Sequence, residues 1–156
     1  MDIVSPGKRH TMMAAVRHQD TQAETVLRSA LHQRGFRFRK HVGGLPGTPD
    51  IVLPKYRATV FVHGCFWHGH SGCRRARLPS TRVSFWQEKV EKNAARDQAI
   101  SVRLLATGWR VAVVWECDLA AKAQRADTID TLARWLSSSE ATYCSSPVRV
   151  PESLSA

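Results

Sequence analysis

The chain has 156 residues, of which 43% are hydrophobic and 23% are charged, a composition typical of one globular domain with its own core. This composition excludes a disordered or collagen-like protein, and the lack of an 18-residue apolar run excludes a transmembrane helix. The formal net charge of +10 indicates a polyanionic partner such as nucleic acid rather than a membrane.

The first part of the chain predicts one helix followed by three strands. After a basic N-terminal arm over residues 1–20, Thr21 and Glu24 have the spacing of a capping box, and a helix is predicted from there to Gly35. Residues 36–40 alternate apolar and basic side chains, as a half-buried strand does. Residues 51–53 and 58–62 predict two further strands joined by a hairpin turn.

The second part of the chain predicts helix, strand and helix. Residues 63–83 are irregular, and a long helix is predicted from Ser84 to Thr107. Its inner face is predicted to carry Trp86, Val90, Ile100 and Leu104. The apolar run at 109–115 predicts a central strand buried on both faces, and a last helix is predicted over 126–138. The fold class is therefore α/β, one domain at 21–138 with a central mixed sheet flanked by helices, followed by a flexible tail at 139–156.

The amino-terminal residues contain no apolar segment of the kind that a secretory signal has. The four cysteines are too few for a disulfide-stabilised scaffold. We therefore expect a cytoplasmic, nucleoid-associated protein, in which cysteines near histidines indicate metal binding more than disulfides.

Five histidine and cysteine side chains fall within the eleven residues from His63 to Cys73. Structural zinc is held by four thiolate or imidazole ligands in a closed tetrahedral site. Cys65, His70 and Cys73 can supply three of them, and Cys117 the fourth if the strands before Cys65 and Cys117 end at the same sheet edge. The alternative is that these cysteines are small buried hydrophobic residues. If the four residues do hold zinc, the site is complete without His63.

Neither His63 nor His68 belongs to this proposed zinc set, so both are candidates for chemistry or for ordinary packing in the core. Asp50 is the only acid among residues 25–87, a block that holds eleven Lys and Arg residues. It can be a turn residue. Its carboxylate would repel the phosphates that the basic block attracts, unless a cation such as Mg²⁺ lies between the carboxylate and the phosphate. Asp50 with two free histidines thus indicates a metal-dependent phosphodiesterase site.

Phe66 and Trp67 stand between residues with polar roles, which favours exposed aromatics that stack on bases beside a basic cleft. Trp86 has two open interpretations, packing in the helix core or contact with DNA. Met12 and Met13 in the basic arm are candidate wedges between base pairs, if the arm is ordered.

The chain resembles the very short patch repair DNA mismatch endonucleases, relatives of the restriction-endonuclease fold, over about residues 8–136. The resemblance is carried by the 13–24 segment, Leu45-Pro-Gly-Thr-Pro-Asp50, Val60-Phe-Val-His-Gly-Cys-Phe-Trp-His68, Phe85-Trp-Gln-Glu-Lys-Val-Glu-Lys-Asn93 and Gly108-Trp-Arg-Val-Ala-Val-Val-Trp-Glu-Cys117. It implies an enzyme that nicks one strand of duplex DNA 5′ to the mispaired T of a T:G mismatch left by deamination of 5-methylcytosine.

The resemblance also implies roles for single residues. Asp50 is the direct Mg²⁺ ligand, together with the backbone carbonyl of Val62, where relatives can carry Thr. His68 is the general base, His63 lies near the scissile phosphate, and Glu24 joins the metal site through water. The acid-x-lysine signature of many relatives of this fold is absent here.

The structural zinc ligands implied by the resemblance are Cys65, His70, Cys73 and Cys117. Ser71 and Gly72 form a short insertion before the third of them. The residues implied to insert beside the mismatch are Phe66, Trp67 and Trp86 from the major groove and Met13 from the minor groove. Lys89 and Asn93, one helical turn apart, are candidates for reading base edges or for contacting phosphates.

Three hypotheses follow. The first is a Mg²⁺-dependent, zinc-containing nicking enzyme that acts as a monomer, with mismatch-repair proteins as candidate partners. The second is a non-catalytic zinc module that binds distorted duplex, which has no need of Asp50, His63 and His68. The third is a zinc hydrolase, which needs an open zinc coordination position that four protein ligands would fill.

Overall fold

The computed structural model describes residues 20–146. Nearly all of the predicted basic arm, including Met12 and Met13, and residues 147–156 lie outside the described residues. The described helices are α1 (Gln22–Gln33), α2 (Val83–Ala106) and α3 (Lys122–Leu136). The described strands are β1 (Arg39–Lys40), β2 (Ile51–Leu53), β3 (Ala58–His63), β4 (Arg110–Trp115) and β5 (Thr142–Cys144). None of these helices has the length and apolar character needed to cross a membrane.

The five strands form one mixed sheet in the order β1-β2-β3-β4-β5. The pairs β1–β2 and β2–β3 are antiparallel, and the pairs β3–β4 and β4–β5 are parallel. Each parallel pair is joined by a helix, α2 for the first and α3 for the second. The mixed α/β sheet that the sequence predicts is therefore confirmed.

Helices cover both faces of the sheet. Alternate residues of β3 and β4, including Val60 and Val114, face a core built with α1 and α3. The opposite set, including Phe61 and Val111, packs with Leu104 of α2. The residues that point to the α2 side at the ends of β3 and β4 are His63 and Trp115, which are register partners. This second hydrophobic cluster is small and involves only the carboxy-terminal half of α2. The amino-terminal half of α2 packs on the loop that follows β3.

The start of α1 follows the predicted capping pattern. The side chain of Thr21 accepts a hydrogen bond from the Glu24 N–H at 3.2 Å. The Glu24 carboxylate accepts from the N–H of Asp20, at 3.1 Å, one residue earlier than a capping box requires. The helix ends beside Gly35, whose φ of +91° is the left-handed conformation that glycine allows.

Three element boundaries differ from the sequence prediction. Only Arg39–Lys40 of the predicted 36–40 strand pairs with the sheet, because Phe36 and Phe38 pack against the core outside the ladder. Helix α3 begins at Lys122, four residues earlier than predicted. Strand β5 lies in the segment predicted as a flexible tail, so the sheet extends beyond the predicted domain end at residue 138.

Candidate active site and cysteine–histidine cluster

Parallel pairing of β3 and β4 brings two distant segments together. His63 and Trp115, the last residues of the two strands, are register partners, so the chain leaves both strands at one edge of the sheet. Cys65 and Cys117 each follow two residues later. The Cys65 N–H donates to Oε1 of Glu116 at 3.2 Å and links the two turns directly. The predicted proximity of residues 65 and 117 is confirmed, and it results from parallel strand order.

The cluster at this edge contains the four predicted ligands. The ligating atoms of Cys65, His70, Cys73 and Cys117 all lie within 4.8 Å of one another. Nδ1 of His70 is 3.4 Å from Sγ of Cys117, close to the spacing of about 3.4–3.8 Å that neighbouring ligands have around tetrahedral zinc. Burial raises the pKa of the Cys65 thiol to about 11 and raises that of Cys117 as well. A cation at the centre would reverse this effect by stabilising the thiolates, so the donor set fits a metal.

The turn that carries Cys117 is fixed by a buried carboxylate. Asp118 is 2% exposed and accepts hydrogen bonds from Gln124 at 2.7 Å and from the hydroxyls of Ser145 and Ser146. The Ser145 hydroxyl also accepts from the N–H of Trp115 at 3.0 Å. The segment after β5 thereby holds the end of β4 and the following turn in place.

Asp50 lies immediately before β2 and close to the end of β3. Its Oδ2 accepts the N–H of Val62 at 2.7 Å, so the carboxylate lies beside the residue whose backbone carbonyl is predicted to share a metal with it. Burial raises the pKa of Asp50 to about 6. The Val62 N–H and the His41 and His68 side chains lower it, while the Glu24 carboxylate raises it further. Two neighbouring carboxylates in a buried place fit a divalent cation.

Glu24 reaches this place from α1 and is almost fully buried. Its Oε2 accepts from Arg28 at 3.2 Å, and Nε2 of His41 lies 3.5 Å away. Nδ1 of His41 lies 3.8 Å from Oδ1 of Asp50, so His41 stands between the two carboxylates. The backbone of His41 adopts φ +47°, which a non-glycine residue rarely does, and its Nε2 is buried without a hydrogen bond. No sequence pattern predicts a role for His41.

The two histidines outside the proposed zinc set, His63 and His68, form a stacked pair. The rings of His63 and His68 are parallel to within 4° at 3.9 Å between centroids. Nδ1 of His68 lies 2.5 Å from Oδ2 of Asp97, a residue of α2. Burial, with a smaller contribution from His68, lowers the pKa of His63 to about 3, so His63 is neutral at physiological pH. No sequence motif marks Asp97, although it shares the inner stripe of α2 with Val90, Asn93 and Ile100.

The predicted intercalating aromatics lie together. Phe66 is edge-on to Trp67 at 5.1 Å and to Trp86 at 5.5 Å between ring centroids, and all three are half-buried. Nζ of Lys89 lies 5.6 Å from the centroid of Trp67 and 5.9 Å from that of Trp86. Trp86 therefore lies in this aromatic cluster (Phe66, Trp67 and Trp86) and not within either hydrophobic core.

Helix α2 holds the loop that carries the aromatics. The amide nitrogen of Asn93 donates to the carbonyl of Trp67 at 2.9 Å, so this donor is used within the protein. Gly69 has φ +65°, and a Cβ there would lie 2.5 Å from a methyl group of Val90. The loop can approach the helix this closely only because residue 69 is glycine.

Comparison with known proteins gives consistent matches. The family model described as "DNA mismatch endonuclease Vsr" matches residues 1–75. A protein of Xanthomonas oryzae pv. oryzae named type II nicking enzyme V.XorIIP is 54% identical over 76% of this chain and 87% of its own. Type II nicking enzyme V.NmeAIP of Neisseria meningitidis is 41% identical over 85% of this chain and 94% of its own. DNA mismatch endonuclease Vsr of Escherichia coli is 41% identical over 86% of this chain and 87% of its own.

The chain belongs to the Vsr family of DNA mismatch endonucleases. It is accordingly a DNA endonuclease, a hydrolase of phosphodiester bonds, and the hypothesis of a non-catalytic binding module is wrong. Of the candidate site residues, Asp50 contacts Val62 and lies with Glu24 around His41. His63 and His68 form a second group with Asp97, and Cys65, His70, Cys73 and Cys117 form a third.

Proposed function

We propose that this Vsr-family enzyme nicks one strand of duplex DNA 5′ to the mispaired T of a T:G mismatch and so starts very short patch repair. The observation that carries the proposal is the juxtaposition of Asp50 and the His63–His68–Asp97 group with half-buried aromatics on the neighbouring loop. The mixed sheet with helices on both faces agrees with a restriction-endonuclease-like fold. The relative from Escherichia coli carries a mismatch endonuclease name, and two others carry nicking enzyme names.

Asp50 would hold Mg²⁺ through its carboxylate, with the backbone of Val62 beside it and Glu24 able to contact the ion through water. A magnesium ion held there supplies charge neutralisation at the phosphate oxygens. The Val62 N–H fixes the orientation of the Asp50 carboxylate, so the second oxygen, Oδ1, is left for the ion. The raised pKa of Asp50 reflects how strongly this place disfavours an uncompensated negative charge.

His68 would remove the proton from the attacking water. Asp97 accepts the hydrogen bond from Nδ1 of His68, which leaves Nε2 as the nitrogen that can take up a proton. The Asp97 carboxylate then stabilises the imidazolium that forms. His63 stays neutral, and its stacked ring limits the orientations of His68 while it can donate a hydrogen bond to the scissile phosphate.

The aromatic cluster would recognise the mismatch. A T:G pair is less stable than a matched pair, so unstacking there costs less than elsewhere, and aromatic side chains can insert beside it. Exposed basic residues lie between Trp67 and Trp86 in the chain and would bind phosphates, namely Arg74, Arg75, Arg77 and Arg82. Lys89 would contact DNA, and Asn93 would support the loop through its hydrogen bond to the carbonyl of Trp67. We also propose that Met13, in the basic arm over residues 1–20, contacts the minor groove.

The cluster of Cys65, His70, Cys73 and Cys117 would hold a structural zinc ion. All four positions of a tetrahedral site would be filled by protein, so the cluster does not suit a zinc hydrolase. Its role would be to stabilise the irregular 64–76 loop, which has almost no core of its own. A nick requires one active site, so a monomer is sufficient for the reaction.

The test is a nicking assay on a T:G duplex and on the same duplex with a T:A pair, with and without Mg²⁺. Wild-type protein should nick only the T-containing strand of the mismatched duplex, and only with Mg²⁺. Asp50→Ala should keep mismatch binding and lose nicking. Equal nicking by wild type and Asp50→Ala would remove Asp50 from the mechanism, and equal nicking of both duplexes would refute T:G specificity.

A further inference from the structure

Trp115 ends β4 between the histidine pair and the cysteine–histidine cluster. Its ring is edge-on to His63 at 5.2 Å between centroids, with an interplanar angle of 74°. On the other side it stacks on His70 at 4.2 Å and 5°. With the His63–His68 stack included, four rings form a continuous row from the proposed general base to a proposed zinc ligand.

The row is held at defined points along its length. His68 is bound to Asp97 of α2 at one end, and Nδ1 of His70 lies beside Sγ of Cys117 at the other. Trp115 in the middle is fixed through its backbone N–H, which donates to the hydroxyl of Ser145. Because the Trp115 ring packs between two rings that are themselves anchored, it can shift only if those rings shift with it.

We propose that Trp115 is a positioning residue for the nicking reaction, because its indole holds the His63–His68 pair at a fixed place relative to the cysteine–histidine cluster. The inference rests on the proposed role of His68. It gives the metal cluster a second effect beyond loop stability, since an ordered His70 is what Trp115 packs against. Loss of the indole leaves a gap between His63 and His70, into which either ring can move.

The Trp115 indole is not part of the hydrophobic core. Trp115 is half-buried and lies outside both hydrophobic clusters, whereas Trp109, immediately before β4, packs with Phe61 and Leu104. The two tryptophans therefore offer a comparison between the two ends of β4. One contacts the histidine row, and the other contacts the guanidinium of Arg57.

The experiment compares Trp115→Leu, Trp115→Phe and the control Trp109→Leu. For each, kcat and KM are measured on the T:G duplex with Mg²⁺, bound zinc is quantified, and the ring-proton resonances of His63 and His68 are recorded by NMR without DNA. Trp115→Leu should lower kcat about a hundredfold, with KM unchanged and one zinc retained, because a displacement of about 1 Å is enough for such a loss. Trp115→Phe should recover most of kcat, and Trp109→Leu should keep it.

The NMR readout separates this inference from the proposed function. Resonances of His63 and His68 should move in both Trp115 variants and stay in place in Trp109→Leu. Identical histidine resonances in wild type and the Trp115 variants would overturn the inference, as would a zinc-loaded Trp115→Leu enzyme with wild-type kcat. If Trp115→Leu does not fold, unchanged kcat and unchanged resonances in Trp115→Phe overturn it. A wild-type protein that nicks no T:G duplex refutes the proposed function instead.

Discussion

Nδ1 of His68 and Oδ2 of Asp97 lie 2.5 Å apart, although 29 residues separate them in the chain. One residue comes from the loop after β3 and the other from the middle of α2. A carboxylate at this distance selects the histidine tautomer with the proton on Nδ1 and fixes the orientation of the ring. The tautomer and the orientation of His68 therefore depend on how α2 packs.

Asp97→Asn is expected to lower kcat by about 10²–10⁴-fold, the range that a positioned general base contributes. The amide can still hydrogen-bond the ring but cannot stabilise the imidazolium, so KM should change little. Single-turnover nicking of a T:G duplex measures the effect. Asp127→Asn, an exposed carboxylate on α3, is the control and should have wild-type kcat. An Asp97→Asn enzyme as fast as wild type would show that His68 works without its partner.

Cys117→Ser is expected to lose the bound metal and to lower Tm by roughly 10 °C or more, since the free energy of metal binding stabilises only the folded chain. Cys144→Ser is the control, because Cys144 is exposed and outside the four-residue cluster. It should keep one zinc per chain and the wild-type Tm. Metal content by mass spectrometry and calorimetry check both. Full zinc occupancy in Cys117→Ser would contradict the ligand assignment.

Asp50→Asn is expected to stabilise the metal-free protein at pH 8 by up to about 3 kcal/mol. The pKa of Asp50 is raised from 3.8 to about 6 in the folded state, so ionisation costs folded-state stability as pH rises through this window. The gain should disappear near pH 3, where both states are protonated. Mg²⁺ should raise Tm of wild type at pH 8 and leave Asp50→Asn unchanged. An equal response of both proteins to Mg²⁺ would place the ion elsewhere.

Trp67→Ala is expected to weaken binding to a T:G duplex by about 5- to 150-fold, the range of one lost base–aromatic stack. Binding to a fully paired duplex should change much less, because insertion occurs beside the mismatch. Fluorescence anisotropy at constant salt gives both dissociation constants. Trp109→Ala is the control, because it removes an indole that lies outside the aromatic cluster. Equal weakening on both duplexes would show that Trp67 contributes only general affinity.

The sequence predicted the main elements because each has a strong local signal. Thr21 caps α1, the apolar runs form β2, β3 and β4, and Ile100 and Leu104 of α2 pack inward as the periodicity predicts. Strand β5 was missed because it has three residues, Thr-Tyr-Cys, of which only Tyr143 is partly buried. A short edge strand depends on the neighbouring strand for its conformation, and local sequence carries little of that information.

The sequence indicated those candidate site residues that stand out by motif or by charge. It did not indicate the residues that reach the site only through long-range contacts. Asp50, His63 and His68 stood out as ionisable residues without a structural explanation. Asp97 did not, because an acid in a mixed-charge helix is ordinary, and only tertiary packing aligns it with His68. His41 sits in a loop with a left-handed backbone, and no spacing rule places it between Glu24 and Asp50.

The hydrogen bonds from Ser145 and Ser146 to Asp118 have a consequence for the order in which the fold can form during synthesis. Asp50, His68 and Asp97 are all synthesised before Ser145, and Asp118, beside Cys117, gains its two serine donors only once Ser145 and Ser146 have been added. A nascent chain thus carries every proposed catalytic side chain before the last strand can pair with β4. The five-stranded sheet is complete only after the final described segment has been translated.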